Sequence, residues 1–386
     1  MRIGIPRETA PDERRVATVP ETVRKIIGKG AEVVVESGAG AAASHPDAAY
    51  EQAGARIAPA EEAWSADVVL KVAAPSVEEA RRLRSGAVLI TFLDPDVDPE
   101  AFQALVESGV TALAMQAIPR IARAQKMDAL SAMANLAGYK AVLEAANAFG
   151  RYFPLLMTAA GTVTPAHVLV IGAGVAGLSA IATARRLGAV VRAFDPRPPV
   201  REQVESLGAR FIALNIEAVG ETAGGYAAAQ SEAFLEKERE LLSEHVAEVD
   251  VVIATAAIPG QPAPVLITDQ MTLSMKPGSV IVDVVAERGG NCALTRPGDV
   301  RRENGVTVIG YIDLPSRMAE QASLLYARTV WNLLSHIWGE EGVRIDLEDE
   351  IVSATALVHE GRERRPSPAG VGIGSDSGST GSDKEV

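Results

Sequence analysis

The chain has 386 residues, a formal net charge of -13 and one cysteine, Cys292, which we interpret as a small buried hydrophobic side chain. The acidic balance argues against nucleic-acid binding, because phosphate contacts need basic patches, and a single cysteine excludes an intrachain disulfide framework. The length predicts two domains, and with only 4% aromatic residues the cores should consist of small aliphatic side chains, as in buried parallel sheets.

The first part of the chain alternates between apolar runs and helical or turn segments. The predicted strands are Met1–Ile5, Ala31–Glu36, Arg56–Ile57, Asp67–Lys71, Ala87–Phe92 and Val110–Met115. Pro20–Lys29 has helical spacing and ends at a glycine, Gly30. Strands that alternate with helices predict a parallel sheet with helices on its faces.

The alternation starts again after a long alanine-rich helix predicted over Ala129–Phe149. The predicted strands here are His167–Ile171, Val190–Asp195, Arg210–Leu214, Val249–Thr255, Ser279–Val284 and Val306–Ile309. A last long helix, Glu320–Ile337, is placed to return to the first domain. The pattern therefore predicts an α/β protein with two Rossmann-like domains, each a parallel sheet with helices on both faces, and a cleft between them.

We expect a discontinuous first domain of residues 1–131 and 312–360, and a nucleotide-binding domain of residues 137–310. The tail, residues 365–386, has almost no large apolar side chains. It cannot bury enough surface to offset its ordering entropy, so we expect it to be disordered. The sequence shows neither a signal peptide nor a membrane span.

A glycine motif directly after the predicted strand His167–Ile171 indicates a dinucleotide site. In Gly172-Ala-Gly174-Val-Ala-Gly177, the first glycine allows a tight turn, the second lets a pyrophosphate approach the backbone, and the third lets helix and strand pack closely. The N–H groups of Val175 and Ala176, at the start of the following helix, would hold the phosphates.

The end of the next predicted strand carries Asp195, Pro196 and Arg197. An acidic residue here accepts hydrogen bonds from both ribose hydroxyls and repels a 2′-phosphate, which favours NAD(H) over NADP(H). Arg197 argues in the other direction, because a nearby arginine can accommodate that phosphate. We give Asp195 more weight since it stands at the strand end itself.

Two further segments are expected to close the pocket. Ala254–Gly260 ends a strand at the carboxyl edge of the sheet, and its small Ala257 would let a nucleotide come close. The glycine-rich segment that contains Gly225 and Tyr226 is either a mobile lid, with the aromatic ring over the cofactor, or an ordinary surface loop.

The segment from Arg120 to Ser131, Arg-Ile-Ala-Arg-Ala-Gln-Lys-Met-Asp-Ala-Leu-Ser, carries a family resemblance. Together with NLAGYKAV a few residues later, it is similar to proton-translocating NAD(P) transhydrogenases, specifically to the NAD(H)-binding first component of their alpha subunit. Other segments that agree are DERRVATVP, ESGAGAAAS, MTAAGTVTPA, REQVESLGARF, ETAGGYA, IPGQPAPVLIT, MKPGSVIVD, ERGGN and DLPSRMAEQAS. The resemblance extends to about residue 350.

The resemblance implies a site and a set of partners. It places Arg120, Gln125, Asp128 and Ser131 beside the nicotinamide as catalytic and cofactor-binding residues, with no metal. It implies hydride transfer from NADH to NADP⁺ bound on a partner beta subunit, coupled to proton translocation through a second, membrane-spanning component of the alpha subunit. It also implies a homodimer formed through a hairpin in RYFPLLMTAAGTVTPA. The chain would then be a separate cytoplasmic subunit, peripheral on the cytoplasmic face of the inner membrane.

Alanine dehydrogenases share this pattern and give an alternative, an NAD-dependent amino-acid dehydrogenase. Arg15 and Lys71 match positions that bind the substrate carboxylate there, but they also occur in transhydrogenases. The catalytic histidine of alanine dehydrogenases follows the strand that contains AVLITF, where this sequence has Asp94, and an amino-acid dehydrogenase needs that proton-handling group. An NAD-binding regulatory module without chemistry is the third hypothesis.

Overall fold

The structure, a computed structural model, describes residues 1–214, 231–258, 261–340 and 342–364. The strands are β1 Arg2–Ile5, β2 Glu32–Glu36, β3 Arg56–Ala58, β4 Val68–Leu70, β5 Val88–Thr91, β6 Thr111–Ala114, β7 Leu156–Thr158, β8 Gly161–Val163, β9 His167–Ile171, β10 Val190–Phe194, β11 Arg210–Ile212, β12 Val251–Ala254, β13 Val280–Asp283, β14 Val300–Glu303, β15 Val306–Ile309, β16 Trp338–Gly339, β17 Gly342–Val343, β18 Ala356–His359 and β19 Arg362–Glu363. The helices are α1 Pro20–Gly28, α2 Asp47–Gln52, α3 Ala60–Trp64, α4 Val77–Ala80, α5 Pro99–Glu107, α6 Ala129–Ala148, α7 Val175–Arg186, α8 Val200–Ser206, α9 Glu232–Glu248, α10 Asp269–Ser274, α11 Ala319–His336 and α12 Glu350–Thr355.

Two large sheets organise the chain. The first has the strand order β19-β18-β6-β5-β4-β1-β2-β3, and the second has the order β11-β10-β9-β12-β13-β15-β14. Within each sheet six consecutive strands are parallel. Their order, third-second-first-fourth-fifth-sixth along the chain, is that of a Rossmann sheet. The predicted α/β class with two Rossmann-like sheets is confirmed.

Each sheet is buried on both faces, which explains why its strands are continuous apolar runs. In the first sheet, Leu70 lies in the core on one face, while its neighbour Val69 lies in the core on the other. In the second sheet, Val170 and Leu169 divide in the same way. Side chains alternate between the faces of a strand, so an unbroken apolar run supplies both cores.

The long helices α6 and α11 lie against these cores. The apolar side of α11, which includes Tyr326 and Val330, packs in the core of the first sheet. Helix α6 begins in that same core with Met133 and continues into the core of the second sheet with Val142. We propose residues 1–131 with 312–360, and residues 137–310, as the two domains.

The structure corrects several sequence-based expectations. The sheets are not wholly parallel, because β14 pairs antiparallel with β15 at one edge and β18 pairs antiparallel with β6 at another. Helix α9, between β11 and β12, was not predicted. The tail expected to be disordered, residues 365–386, lies outside the described residues. Within the described ranges, every helix is too short or too polar to cross a bilayer.

Candidate functional site

The glycine motif forms the turn between β9 and α7. Gly172 has φ +87°, a left-handed conformation that favours glycine. A Cβ atom on Gly172 would also lie 2.9 Å from the backbone nitrogen of Ala256. A Cβ on Gly177 would lie 1.9 Å from the Gly172 carbonyl oxygen. Two of the three glycines are therefore required by backbone conformation or by contact with neighbouring backbone.

The remaining glycine, Gly174, leaves room for a ligand. It is exposed and stands at the N-cap of α7, and no described heavy atom lies within 4 Å of where its Cβ would be. Glycine has no side chain to cap the helix, so the first N–H groups of α7, including those of Val175 and Ala176, are available to an anion. The open approach and the N–H groups fit the pyrophosphate of a dinucleotide.

Asp195 is buried at the end of β10 and holds the glycine turn. Its Oδ2 accepts a hydrogen bond from the Ala173 N–H at 2.7 Å. The Arg197 side chain, also buried, donates to both carboxylate oxygens at 2.8 Å, and the Arg197 N–H donates to Oδ1 at 3.0 Å. Pro196 lies between the two residues in the chain. A carboxylate has about four acceptor positions, so a ribose hydroxyl must compete with Arg197 for Asp195.

The segment after β12 forms the other side of this edge, because β9 and β12 are neighbours whose carboxyl ends lie together. Asn291 fixes the segment. Its Oδ1 accepts from the Ala256 N–H at 2.9 Å, and its Nδ2 donates to the carbonyls of Ala256 at 2.9 Å and Pro264 at 2.8 Å. Half-buried Ala257 follows directly. Asn291 was not expected from the sequence, where only its place in ERGGN could have drawn notice.

The Arg120–Ser131 loop lies between β6 and α6 and contains a 3-10 helix, Ala122–Met127. Ala124 and Met127 are buried in the core of the first sheet, while Arg120 and Gln125 are exposed. This alternation anchors the loop by its apolar side chains and turns its polar ones outward. The backbone is held as well, since Asn332 on α11 donates to the Lys126 carbonyl at 2.7 Å.

Asp128 and Ser131 contact each other at the start of α6. Asp128 is the N-cap, and its Oδ1 accepts from the Ser131 N–H at 2.8 Å. The Ser131 hydroxyl donates to Oδ2 at 2.5 Å. These two side chains define where α6 begins and fix the end of the loop to it.

Helix α6 connects this loop to the glycine turn. Gly138 lies ten residues after Asp128, roughly 15 Å along the helix, and there α6 meets α7. A Cβ on Gly138 would lie 1.9 Å from the carbonyl oxygen of Ala176. The two groups of expected site residues are thus held at a distance set by one helix and one close backbone contact.

The cations that match the carboxylate-binding positions of alanine dehydrogenases are paired within the chain. The buried Lys71 Nζ lies 2.7 Å from Glu8 Oε2, and Arg15 donates through Nε to Glu13 Oε1 at 2.7 Å. Burial raises the pKa of the Glu8 carboxyl despite the Lys71 ammonium. Burial also acts to raise the pKa of Glu13, but the Arg15 guanidinium outweighs it and the pKa is lowered. A substrate carboxylate would have to compete with both acidic side chains.

The expected hairpin is present as β7 and β8, which pair antiparallel. Its surroundings expose large apolar side chains, with Tyr152 at 59%, Leu155 at 57% and Met157 at 84% exposed. An open groove of about 800 Å³ also runs beside α7, between α6 and the start of α11, and is lined in part by Tyr139 and Val175.

Other expectations fall elsewhere. Gly225 and Tyr226 lie outside the described residues. Asp94 is half-buried just after β5. In the described part of the chain, no group of three or more His, Cys, Asp or Glu side chains is placed to hold a metal ion.

Family models match almost the whole chain. The model described as "Alanine dehydrogenase/PNT, N-terminal domain" matches residues 4–137, and the one described as "Alanine dehydrogenase/PNT, C-terminal domain" matches residues 141–366.

Individual proteins agree with the family models. The first of the separate NAD(P) transhydrogenase alpha-subunit chains of Rhodospirillum rubrum is 48% identical over 96% of this chain and 100% of its own length. A solved transhydrogenase structure from Sinorhizobium meliloti superimposes with a TM-score of 0.86 at 48% identity, covering 94% of this chain and 100% of that one. Alanine dehydrogenase of Halomonas elongata is 34% identical over 77% of this chain and 76% of its own length.

Proposed function

We propose that this chain, which belongs to the alanine dehydrogenase/PNT family, is the NAD(H)-binding subunit of a proton-translocating NAD(P) transhydrogenase. In this proposal it takes part in hydride transfer from NADH to NADP⁺ bound on a partner beta subunit. Membrane-spanning subunits, including a second component of the alpha subunit, couple the reaction to proton movement. The chain itself is a peripheral protein on the cytoplasmic face of the inner membrane.

The observation that carries the proposal is the link through α6. The glycine turn fits the pyrophosphate of a dinucleotide, and α6 connects it to the polar Arg120–Ser131 loop. A dinucleotide with its phosphates at Val175 and Ala176 would reach the cleft that we propose between the two domains, where the loop could meet its nicotinamide. Family membership and the transhydrogenase relatives support the same cofactor.

Each side chain of the loop has a suitable polar group for the carboxamide of the ring. A hydroxyl keeps acceptor capacity after donating its proton, so Ser131, which donates to Asp128, can still accept from an amide N–H. Gln125 is exposed and can both donate and accept, and Arg120 brings positive charge. The bound dinucleotide would supply the hydride.

Positioning is the catalytic contribution that this arrangement supports. Transfer between two nicotinamide rings needs no general acid or base, but it needs the rings held in reactive geometry. Asp94 stands where alanine dehydrogenases have a catalytic histidine, and this favours transhydrogenation over amino-acid oxidation. Asp195, once Arg197 releases some of its carboxylate, would accept the ribose hydroxyls and select NADH.

We also propose a homodimer. The exposed apolar side chains around β7 and β8 and the groove beside α7 form surfaces that a monomeric protein rarely leaves in water. A second copy would cover them. Light scattering at micromolar concentration should give twice the chain mass, and a monomeric mass would contradict the proposal.

The experiment that tests the function combines binding with turnover. The purified chain should bind NADH, which is followed by fluorescence. With alanine and NAD⁺, or with pyruvate, ammonia and NADH, it should give no turnover. After addition of the NADP(H)-binding subunit and NADP⁺, NADH should be oxidised. Turnover with alanine would favour the dehydrogenase alternative, and binding without transfer under any condition would favour a regulatory module.

A further inference from the structure

A cluster of charged side chains outside the expected site holds the Arg120–Ser131 loop from behind. Arg123, in the 3-10 helix of the loop, donates to Asp349 Oδ2 at 2.7 Å. Asp349 is the N-cap of α12, more than two hundred residues later in the chain. His336, the last residue of α11, contacts Asp349 Oδ1 at 3.1 Å. Three separate elements therefore meet at one carboxylate.

Asp349 is held in place independently of Arg123. Its Oδ1 accepts from the backbone N–H groups of Ile351 at 2.8 Å and Val352 at 3.1 Å, as an N-cap side chain does. Ile351 and Val352 are buried in the core of the first sheet. The carboxylate is thus a fixed point on the fold, and a charge-assisted hydrogen bond to it fixes Arg123 in turn.

We infer that Asp349 is a positioning residue for Gln125, acting through Arg123. The inference rests on the function proposed above. The loop is held at Arg123 by Asp349 and at the Lys126 carbonyl by Asn332, on the two sides of exposed Gln125. With both supports in place, the Gln125 side chain keeps one position relative to α6. With one removed, the loop is still anchored by Ala124 and Met127 but gains freedom on the side of Arg123.

The test uses Asp349→Asn in the full chain. Asparagine is as good an N-cap as aspartate, so α12 keeps its cap while the negative charge opposite Arg123 is lost. Glu350→Gln is the matched control, since it removes the neighbouring carboxylate, 3.7 Å from Arg123, and makes the same change in net charge. Arg123→Gln, alone and combined with Asp349→Asn, measures whether the two residues act together.

The expected result separates binding from transfer. Asp349→Asn should keep the Kd for NADH within about twofold and lower the rate of hydride transfer with the partner about tenfold, less than the roughly hundredfold loss that a displacement of 1 Å can cause. The double variant should be no slower than either single one. Glu350→Gln should transfer hydride at the wild-type rate.

A second readout does not depend on the proposed function. Arg120, Arg123 and Lys126 are exposed sites for trypsin in the loop, and Asp349→Asn should speed cleavage after Arg120 or Lys126 several-fold relative to Glu350→Gln. If the wild-type chain transfers no hydride, the proposed function fails and the cleavage rates alone decide whether the support exists. Equal cleavage and equal transfer rates in the two variants would overturn the inference, and so would an equal loss in both.

Discussion

The contact between Gly138 on α6 and Ala176 on α7 allows a sharp test of the proposed site geometry. In Gly138→Ala, the new Cβ would lie 1.9 Å from the Ala176 carbonyl oxygen. Real Cβ atoms do not approach oxygen closer than 3.0 Å, so the two helices must separate by about 1 Å. Overpacking of this kind costs about 1–3 kcal/mol, while alanine gains about 1 kcal/mol over glycine inside a helix.

Gly28→Ala provides the control. Gly28 is the last residue of α1 and has no described heavy atom within 4 Å of its Cβ position, so this variant should be neutral or more stable by up to about 1 kcal/mol. The difference in free energy of unfolding between the two variants, measured by urea denaturation, should be about 1–3 kcal/mol.

The same separation of helices should affect catalysis. It displaces the start of α7 relative to the Arg120–Ser131 loop, and a displacement of about 1 Å can slow transfer on the order of a hundredfold. Single-turnover oxidation of bound NADH, with the NADP(H)-binding subunit present, measures this rate. If Gly138→Ala transferred hydride at the wild-type rate although the helices had separated, the geometry we infer for the site would be refuted.

Three other variants or treatments test separate regions of the site and core. Gln125→Asn should leave NADH binding nearly intact and slow hydride transfer strongly, because the amide no longer reaches the ring; Gln103→Asn on α5 is the control, and weak binding with a normal saturated rate would contradict the role. Arg197→Ala frees the Asp195 carboxylate and removes positive charge, so the preference for NADH over NADPH should rise about tenfold in Kd; tighter NADPH binding would argue against ribose recognition by Asp195. Burial raises the pKa of the Cys292 thiol, which lowers its thiolate fraction at pH 8, so iodoacetamide should modify the native chain at least about tenfold more slowly than the urea-unfolded chain; equal rates would mean that this thiol is accessible.

Much of the fold could be predicted because its signals are local. The strand His167–Ile171 and the strand Val306–Ile309 have the predicted bounds, since each is an apolar run with a clear end. Helix α6 differs from its prediction only at the last residue. Positive φ at Gly172 follows from the same reasoning, because a strand that turns directly into a helix needs that conformation.

Other features have no local signal. Strand β14, with the sequence VRRE, is exposed at all four residues, so it lacks an apolar pattern and is defined by its pairing with β15. Strand β18 joins the first sheet from the far end of the chain. The ion pair between Arg123 and Asp349 joins two exposed-looking charges that only the tertiary fold brings together.

The candidate site shows the same division. The sequence indicated both Asp195 and Arg197 and treated them as rival determinants of cofactor choice. The structure shows them bonded to each other, which no spacing rule could reveal because it depends on a side-chain rotamer. Asn291 was missed for a related reason, since an amide that replaces backbone pairing looks like any other polar residue in a sequence.

The continuity of α6 ties the fate of one half of the molecule to the other. The first turns of the helix complete one hydrophobic core and the later turns complete the second, while the two family models meet between residues 137 and 141, inside the helix. A chain divided at that junction would leave each fragment with half a helix and a core open to water. The evolutionary seam is therefore not a place where the protein can be cut, and each half needs the other to fold.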